Sequence, residues 1–270
     1  MNELFDLKDR VIVVTGATGA LAGSAADYLT SQGTRVVYIG RRMEKIDAAL
    51  ARNPKSGNGQ CMGFVADVLD RSALERVRDA VVQRCGRIDG LLNGAGGNMP
   101  GATIAPDQSF FDLDADAFKQ VVELNLHGTM LPSLVFGPAM THGGSIVNFS
   151  SVSANQAVTR VVGYSAAKAG VENFTSWLGV DLARRTGGKV RVNAVRPGFF
   201  LGEQNRRLLT NEDSSLTDRG RQIIAHTPFG RFGQPDELHG AIHFLLADAS
   251  KFVTGIVLTI DGGFCAFSGV

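Results

Sequence analysis

Short, almost wholly apolar runs recur along this chain, and longer stretches of helical periodicity separate them. Val11–Thr15 (VIVVT), Arg35–Ile39 (RVVYI), Met62–Ala66, Gly90–Asn93, Ser145–Phe149 (SIVNF), Val190–Val195 (VRVNAV) and Ile256–Ile260 (IVLTI) are the strand candidates. They are apolar throughout or nearly so, the pattern of strands covered on both faces. Helical patterns run over Leu21–Gln32, Arg71–Cys85, Asp114–Ala139, Tyr164–Arg185 and Pro235–Ala247. The alternation predicts an α/β fold with a doubly wound parallel sheet, in a single domain spanning residues 1–270. Glu203–Ala225 interrupts the alternation, being polar and helix-prone. An insertion near strand C-termini suits a small helical lid over a substrate. No repeat or low-complexity linker divides the chain.

Composition narrows the picture. A chain of 270 residues with 44% hydrophobic and 20% charged residues can bury a sizeable core and belongs with soluble globular proteins. A formal net charge of +1 gives no reason to expect nucleic acid or an anionic membrane as partner. Cys61, Cys85 and Cys265 lie far apart without metal-ligand spacing, which suits a reducing compartment. The first residues, MNELFDLKDR, are too polar for a signal peptide, and no apolar run is long enough to span a bilayer. A cytoplasmic enzyme or binding protein acting on a small molecule is expected.

Two stretches carry candidate chemistry. TGATGALAG, Thr15–Gly23, follows the first strand and opens the first helix. Such a turn lets backbone N–H groups and a helix N-terminus meet a phosphate, although any tight strand-to-helix connection can use glycine. GYSAAKAG, Gly163–Gly170, places Tyr164 and Lys168 one helical turn apart. Such a pair is either surface decoration or an acid–base device, since a neighbouring cation lowers a phenol's pKa. The small residues Ser165, Ala166, Ala167, Ala169 and Gly170 let another body approach this helix, or simply pack it.

With these stretches in place, the chain resembles the short-chain dehydrogenase/reductase family over nearly its whole length. The family's loop is T-G-x-x-x-G-x-G; here Thr15 and Gly16 match, while Ala20 and Ala22 stand for the later glycines, and Gly19 and Gly23 sit one residue off. Asp67-Val68 resembles the pair that contacts adenine, and Asn93-Gly94-Ala95-Gly96 resembles N-N-A-G with Gly94 for the second Asn. Asn125 in LNLHG, Ser151 thirteen residues before Tyr164, Arg196-Pro197-Gly198 and Asp261-Gly262-Gly263 follow in the family's order. The resemblance implies a Rossmann-type three-layer sandwich. It implies Tyr164 as general acid–base, Lys168 lowering its pKa and binding the nicotinamide ribose, Ser151 holding the substrate oxygen, and Asn125 carrying a water to Lys168. It also implies that Gly16, Thr18, Gly19, Ala20, Leu21, Asp67, Val68, Asn93, Ala95, Gly96, Pro197, Gly198 and Phe200 line the cofactor with Tyr164 and Lys168, and that the protein is a homotetramer. Gly202 stands where the family often has a threonine for the carboxamide. Other roles stay open: Ser151 as a strand-end cap with Ser150 or Ser153 as the active hydroxyl, Asn125 satisfying helix backbone, Asp67 as an N-cap.

Cofactor and substrate need finer signals. The second strand ends Tyr38-Ile39-Gly40-Arg41-Arg42. An NAD enzyme usually carries an acid there, whereas guanidinium groups suit a 2′-phosphate. Arg41 and Arg42 therefore predict NADP(H), with NAD the alternative if they are ordinary surface charge. Asn93–Pro100, Pro197–Leu209, Ile224–Gln234 and Asp261–Val270 resemble the D-mannonate oxidoreductase, or fructuronate reductase, branch of the family. A sugar acid needs a cation for its carboxylate, and Arg160 is the first candidate, in the segment between Ser151 and Tyr164. Asn98, Gln204, Asn205 and Arg206 are candidates for its hydroxyls. The rivals are a reductase of another carbonyl, such as a 3-oxoacyl thioester or a ketose, and a non-catalytic dinucleotide-binding regulator. Arg184, Arg185 and Lys189 are too few to mark a carrier-protein dock. His239 and His243 share a helix face without an evident third ligand, and His127, His142 and His226 are scattered, so no metal is expected.

Overall fold

The apolar runs become seven strands: β1 (Val11–Thr15), β2 (Arg35–Gly40), β3 (Met62–Val65), β4 (Gly90–Asn93), β5 (Gly144–Phe149), β6 (Val190–Pro197) and β7 (Val257–Ile260). The structure is a computed structural model that describes residues 3–53, 61–202 and 206–269. All the strands pair in parallel in one sheet, in the order β3-β2-β1-β4-β5-β6-β7. Successive strand residues point to opposite faces, and both faces are covered. Ile12, Val14, Val36, Tyr38, Leu92, Val147 and Val195 face one core with α1 (Ala20–Ser31) and α9 (His239–Leu246). Val11, Val13, Val37, Ile39, Leu91, Ile146 and Val192 face the other, with α3 (Arg71–Cys85), α5 (Gly128–Phe136) and α6 (Val162–Thr186). That double burial is why the strands show no polar alternation.

The long helical pattern over Asp114–Ala139 is broken. It comprises α4 (Ala115–Val122), a wider π-type turn (Glu123–His127), α5 and a closing 3-10 turn (Gly137–Ala139). The π turn centres on Asn125, and such bulges collect at functional sites. A helix absent from the sequence reading, α2 (Met43–Arg52), follows β2. Its apolar positions Met43, Ile46, Ala49 and Leu50 keep helical spacing, over only ten residues, and Ile46 and Ala49 are buried. The insertion contributes α7 (Arg206–Leu209), an antiparallel bridge between Thr210 and Leu216, and α8 (Asp218–Ala225). Leu209, Ile223 and Phe232 give it a small core against Phe199 and Leu201. Gln204 and Asn205 lie outside the described residues. Among the described residues no helix is long and apolar enough to cross a membrane.

Candidate active site

The strand order reverses between β1 and β4, and open α/β sheets bind ligands in the crevice beyond the strand ends at that point. Here the crevice is closed by backbone. Gly16 leaves β1 with φ +66°, and a Cβ on it would lie 2.6 Å from the Gly94 carbonyl oxygen, so both its conformation and its space require glycine. The amides of Gly94 and Ala95 donate to Thr15 Oγ1 at 3.2 and 3.3 Å. Gly19 is the N-cap of α1 and offers no side-chain cap. The first amides of α1, at Ala20 and Leu21, are thus oriented as a helix N-terminus presents them to an anion.

One departure in the glycine loop, Ala22, touches the departure in the N-N-A-G stretch, Gly94. A Cβ on Gly94 would lie 2.3 Å from the Ala22 Cβ. The methyl group gained at Ala22 fills the space vacated at Gly94. Other predicted cofactor residues fall around the same crevice edge. Gly40 ends β2 beside Thr18, whose Cγ2 would lie 3.2 Å from a Cβ on Gly40. Arg41 and Arg42 follow, exposed. Asp67 accepts from the Leu69 amide at 3.0 Å, while the N-cap of α3 is Asp70, accepting from Ala73. Val68 packs on Gly128. Asn93 is buried, its Nδ2 donating to Ser133 Oγ and Asn148 Oδ1 at 2.9 Å each, which ties β4 to β5. Pro197 ends β6, and Gly198 is held against Asp261, 2.7 Å from where its Cβ would be. The Phe200 ring is buried against Gly233, so any contact it makes in the crevice comes from its backbone.

Tyr164 and Lys168 sit on the first two turns of α6. The Tyr164 side chain packs against the cluster of Ala102, Ala117 and Val121. Gly163 and Gly170 admit Phe118 and Leu126 at 3.0 and 3.2 Å from ideal Cβ positions, so the approaching body is the α4–α5 run. Lys168 is 3% exposed and donates from Nζ to the Phe149 carbonyl at 2.8 Å. The Nζ lies 5.5 Å from the Tyr164 ring centre. Burial holds the Lys168 pKa down at about 8. Burial also raises the Tyr164 pKa, against a hydrogen bond with Ser151 that pulls it down. Desolvation is the larger influence on the phenol, and one N–H of the Lys168 ammonium is engaged by the Phe149 carbonyl.

Ser151 combines two of its proposed roles. It caps the 3-10 turn Val152–Ala154, accepting from the Ser153 amide, and its hydroxyl is near enough to the Tyr164 phenol to pull that pKa down. Ser150 is diverted into a network beneath, donating to Glu172 Oε1 at 2.6 Å, and Glu172 in turn takes Arg196 in a two-pronged ion pair. Ser153 donates to Ser151 Oγ at 3.1 Å. Asn125 is buried and grips Gly97 in both directions, Oδ1 accepting from its amide at 3.0 Å and Nδ2 donating to its carbonyl at 2.7 Å. That grip lays Gly96 beside Lys168: a Cβ there would lie 2.6 Å from Asn125 Oδ1 and 3.4 Å from Lys168 Nζ.

The expected substrate residues divide. Arg160 is half-buried with φ +76°, its carbonyl accepting from the Ile104 amide at 3.0 Å. Asn98 is drawn onto Thr103 Oγ1 at 2.7 Å, and Arg206 is exposed on α7. The sequence reading missed Arg219 on α8, whose guanidinium reaches back to Thr159 Oγ1 and carbonyl at 3.1 and 3.3 Å. The tail, Asp261–Val270, was singled out in the sequence, and its contacts now appear. Phe264 stacks edge-on against Phe199 and His226, and Cys265 Sγ lies 3.7 Å from Asn155 Oδ1, so the last residues close one side of the rim.

Comparison with known proteins agrees with this architecture. Residues 16–265 match the family described as Enoyl-(Acyl carrier protein) reductase. An uncharacterized oxidoreductase of Bacillus subtilis, UxuB, is 42% identical over 98% of both chains. A crystal structure from Haemophilus influenzae, of a protein provisionally named a D-mannonate oxidoreductase, with bound NAD, superposes with a TM-score of 0.91 at 37% identity, covering 98% of both chains. A gluconate 5-dehydrogenase from Burkholderia cenocepacia, in complex with NADP and tartrate, superposes with a TM-score of 0.85 at 29% identity, again over 98% of both. The chain belongs to the short-chain dehydrogenase/reductase family and is a nicotinamide-dependent oxidoreductase.

Proposed function

We propose that this enzyme interconverts the carbonyl and secondary alcohol of a sugar acid of the D-fructuronate/D-mannonate type, with NADP(H) as the preferred cofactor. The observation that carries the substrate class is Arg160. It stands in the segment bearing both Ser151 and Tyr164, and among the described residues its guanidinium has no carboxylate partner. The provisional name of the Haemophilus protein and the tartrate held by the gluconate 5-dehydrogenase favour an acid too. A 3-oxoacyl thioester presents no carboxylate to Arg160.

The Gly16 cradle and the open first turn of α1 fit a pyrophosphate. Arg41 and Arg42, without an acid at the end of β2, fit a 2′-phosphate. When bound, nicotinamide supplies or takes up the hydride. The protein itself provides the proton and the positioning. Tyr164, kept protonated by burial, gives its proton to the substrate oxygen in the reducing direction and takes it back in oxidation. Ser151, whose hydroxyl neighbours the phenol, fixes that oxygen beside it. Lys168 lends positive charge from beneath, and Asn125 holds the Gly96–Gly97 backbone over it. Residues 203–225 serve as the substrate lid. The homotetramer expected of the family would cover Leu134, Trp177 and Val180, which α5 and α6 expose.

The deciding experiment follows nicotinamide absorbance with NADPH and NADH, each with D-fructuronate and with D-fructose. Turnover of fructuronate far above fructose supports the reading. Equal rates on both, or none on either with cofactor still bound, reject it.

A further inference from the structure

Among the described residues ten arginines stand against a carboxylate, Arg185 with Asp181, Arg221 with Asp218 and Arg231 with Glu237 among them. Arg160 and Arg219 do not. On α8, Asp218 is taken by Arg221, and Arg219 turns the other way, across to the segment between Ser151 and Tyr164. Its hydrogen bonds to Thr159 occupy two of the five N–H groups a guanidinium carries. Arg160 follows Thr159 directly. Its left-handed backbone, rare for a side chain of this size, is pinned by the Ile104 amide. Its guanidinium makes no hydrogen bond or ion pair among the described residues. The repulsion is felt: burial first and Arg160 second lower the Arg219 pKa. Two partly desolvated cations with no counter-charge are unfavourable together, and one carboxylate between them turns the repulsion into two attractions. Their planar forks suit that geometry.

We propose that Arg219, from the insertion, and Arg160, from the segment carrying the reacting residues, form a two-arginine seat for the substrate's carboxylate. This rests on the sugar-acid reading and adds to it a specificity residue on α8. The insertion thereby gains a role, because Arg219 joins α8 to the catalytic segment through Thr159, and an anion held there braces the two together.

The test compares the wild-type enzyme with Arg219→Met, Arg219→Lys and Arg160→Met, all checked for folding by thermal melting. With D-fructuronate and NADPH, Arg219→Met is expected to raise KM about 30-fold, roughly 2 kcal/mol at about 1.4 kcal/mol per tenfold, with kcat within about threefold. D-fructose, which has a hydroxymethyl group in place of the carboxylate, should change by less than about twofold, since it offers no charge to lose. Arg219→Lys should recover part of the loss. Equal effects on both ketoses, or fructuronate kinetics untouched by Arg219→Met, overturn the seat; the second result leaves the sugar-acid reading standing. If the wild type does not turn over fructuronate, D-mannonate and tartrate are titrated calorimetrically into the enzyme with NADP⁺. Binding that both Met variants abolish sustains the seat while the sugar-acid reading falls. No carboxylate binding by the wild type, or binding that survives in Arg219→Met, overturns it.

Discussion

The crevice between β1 and β4 and the rim above it are built in opposite ways. The crevice is backbone: Gly16, Gly94 and the opening of α1 are fixed by φ angles and by contacts that no larger side chain would allow. The rim is side chain: Arg219 reaches Thr159, beside Arg160, through hydrogen bonds, and Phe199, His226 and Phe264 meet through ring contacts. A backbone site tolerates few sequences and serves one shared ligand. A side-chain site can be rewritten without disturbing the sheet, which is how one fold hosts many substrates. Tyr164 and Lys168 lie where the two meet.

The sharpest way to separate the two is Tyr164→Phe. The side chain's packing against the cluster of Ala102, Ala117 and Val121 is kept, and only the proton donor is lost. We expect kcat to fall about a thousandfold, within the range removed with a general acid. NADPH binding, followed by its fluorescence, should hold within about threefold, since the crevice is untouched. A matching loss of cofactor affinity would mean that Tyr164 belongs to the crevice instead.

Arg41 and Arg42 are the exception inside the crevice, a side-chain feature on a backbone site. Replacing both with Ala is expected to raise KM for NADPH about 30-fold, the equivalent of one or two charge-assisted bonds, and to leave NADH within about twofold. Equal losses for the two cofactors would return the pair to ordinary surface charge, and the NAD held by the Haemophilus structure would then be the better guide.

This division decides what could be read from the sequence. The strands were legible because burial on both faces makes them apolar runs. Ser151, Tyr164 and Lys168 were legible because one turn of helix and one tight strand end fix their spacing. The α2 helix was passed over although Met43, Ile46, Ala49 and Leu50 keep helical spacing, because that run is only ten residues long. Arg219 was not legible, because it lies in a polar insertion and only the folded chain brings it to Thr159, sixty residues upstream. Burial of Tyr164 was not legible, because sequence spacing shows a neighbouring cation and says nothing of desolvation or of the Phe149 carbonyl that engages it. Ala22 and Gly94 each looked like a defect alone and make sense only as a touching pair.

That pair gives a test of the backbone side. Gly94→Ala would bring two methyl groups to 2.3 Å and press a third contact, the Thr15 carbonyl, at 3.0 Å. Overpacking of this kind costs about 1–3 kcal/mol. Ala22→Gly on its own should cost about 1 kcal/mol as a helix glycine. In the double variant the Gly94→Ala penalty should shrink, giving a coupling of about 1–2 kcal/mol in a urea-denaturation cycle. Strict additivity would show that the crevice relaxes around the methyl group and that Ala22 is not its counterpart.

Lys168 tests the junction through stability alone. Its pKa falls from 10.5 to about 8 because the ammonium is buried. Burial therefore penalises the folded state while the side chain is charged in both states, fully below about pH 8, and the penalty fades as pH climbs toward 10.5. The shift corresponds to roughly 3 kcal/mol at about 1.4 kcal/mol per unit, from which the bond to Phe149 returns about 1. Lys168→Met should accordingly be more stable than wild type at pH 7 by about 2 kcal/mol, while losing activity. Near pH 10 the gap should close or reverse, since only the lost hydrogen bond remains. Urea unfolding of both proteins at the two pH values checks this. A variant less stable by the same margin at both would mean that the buried ammonium is at ease on the Phe149 carbonyl. The junction would then be part of the scaffold, with no stability given up there for chemistry.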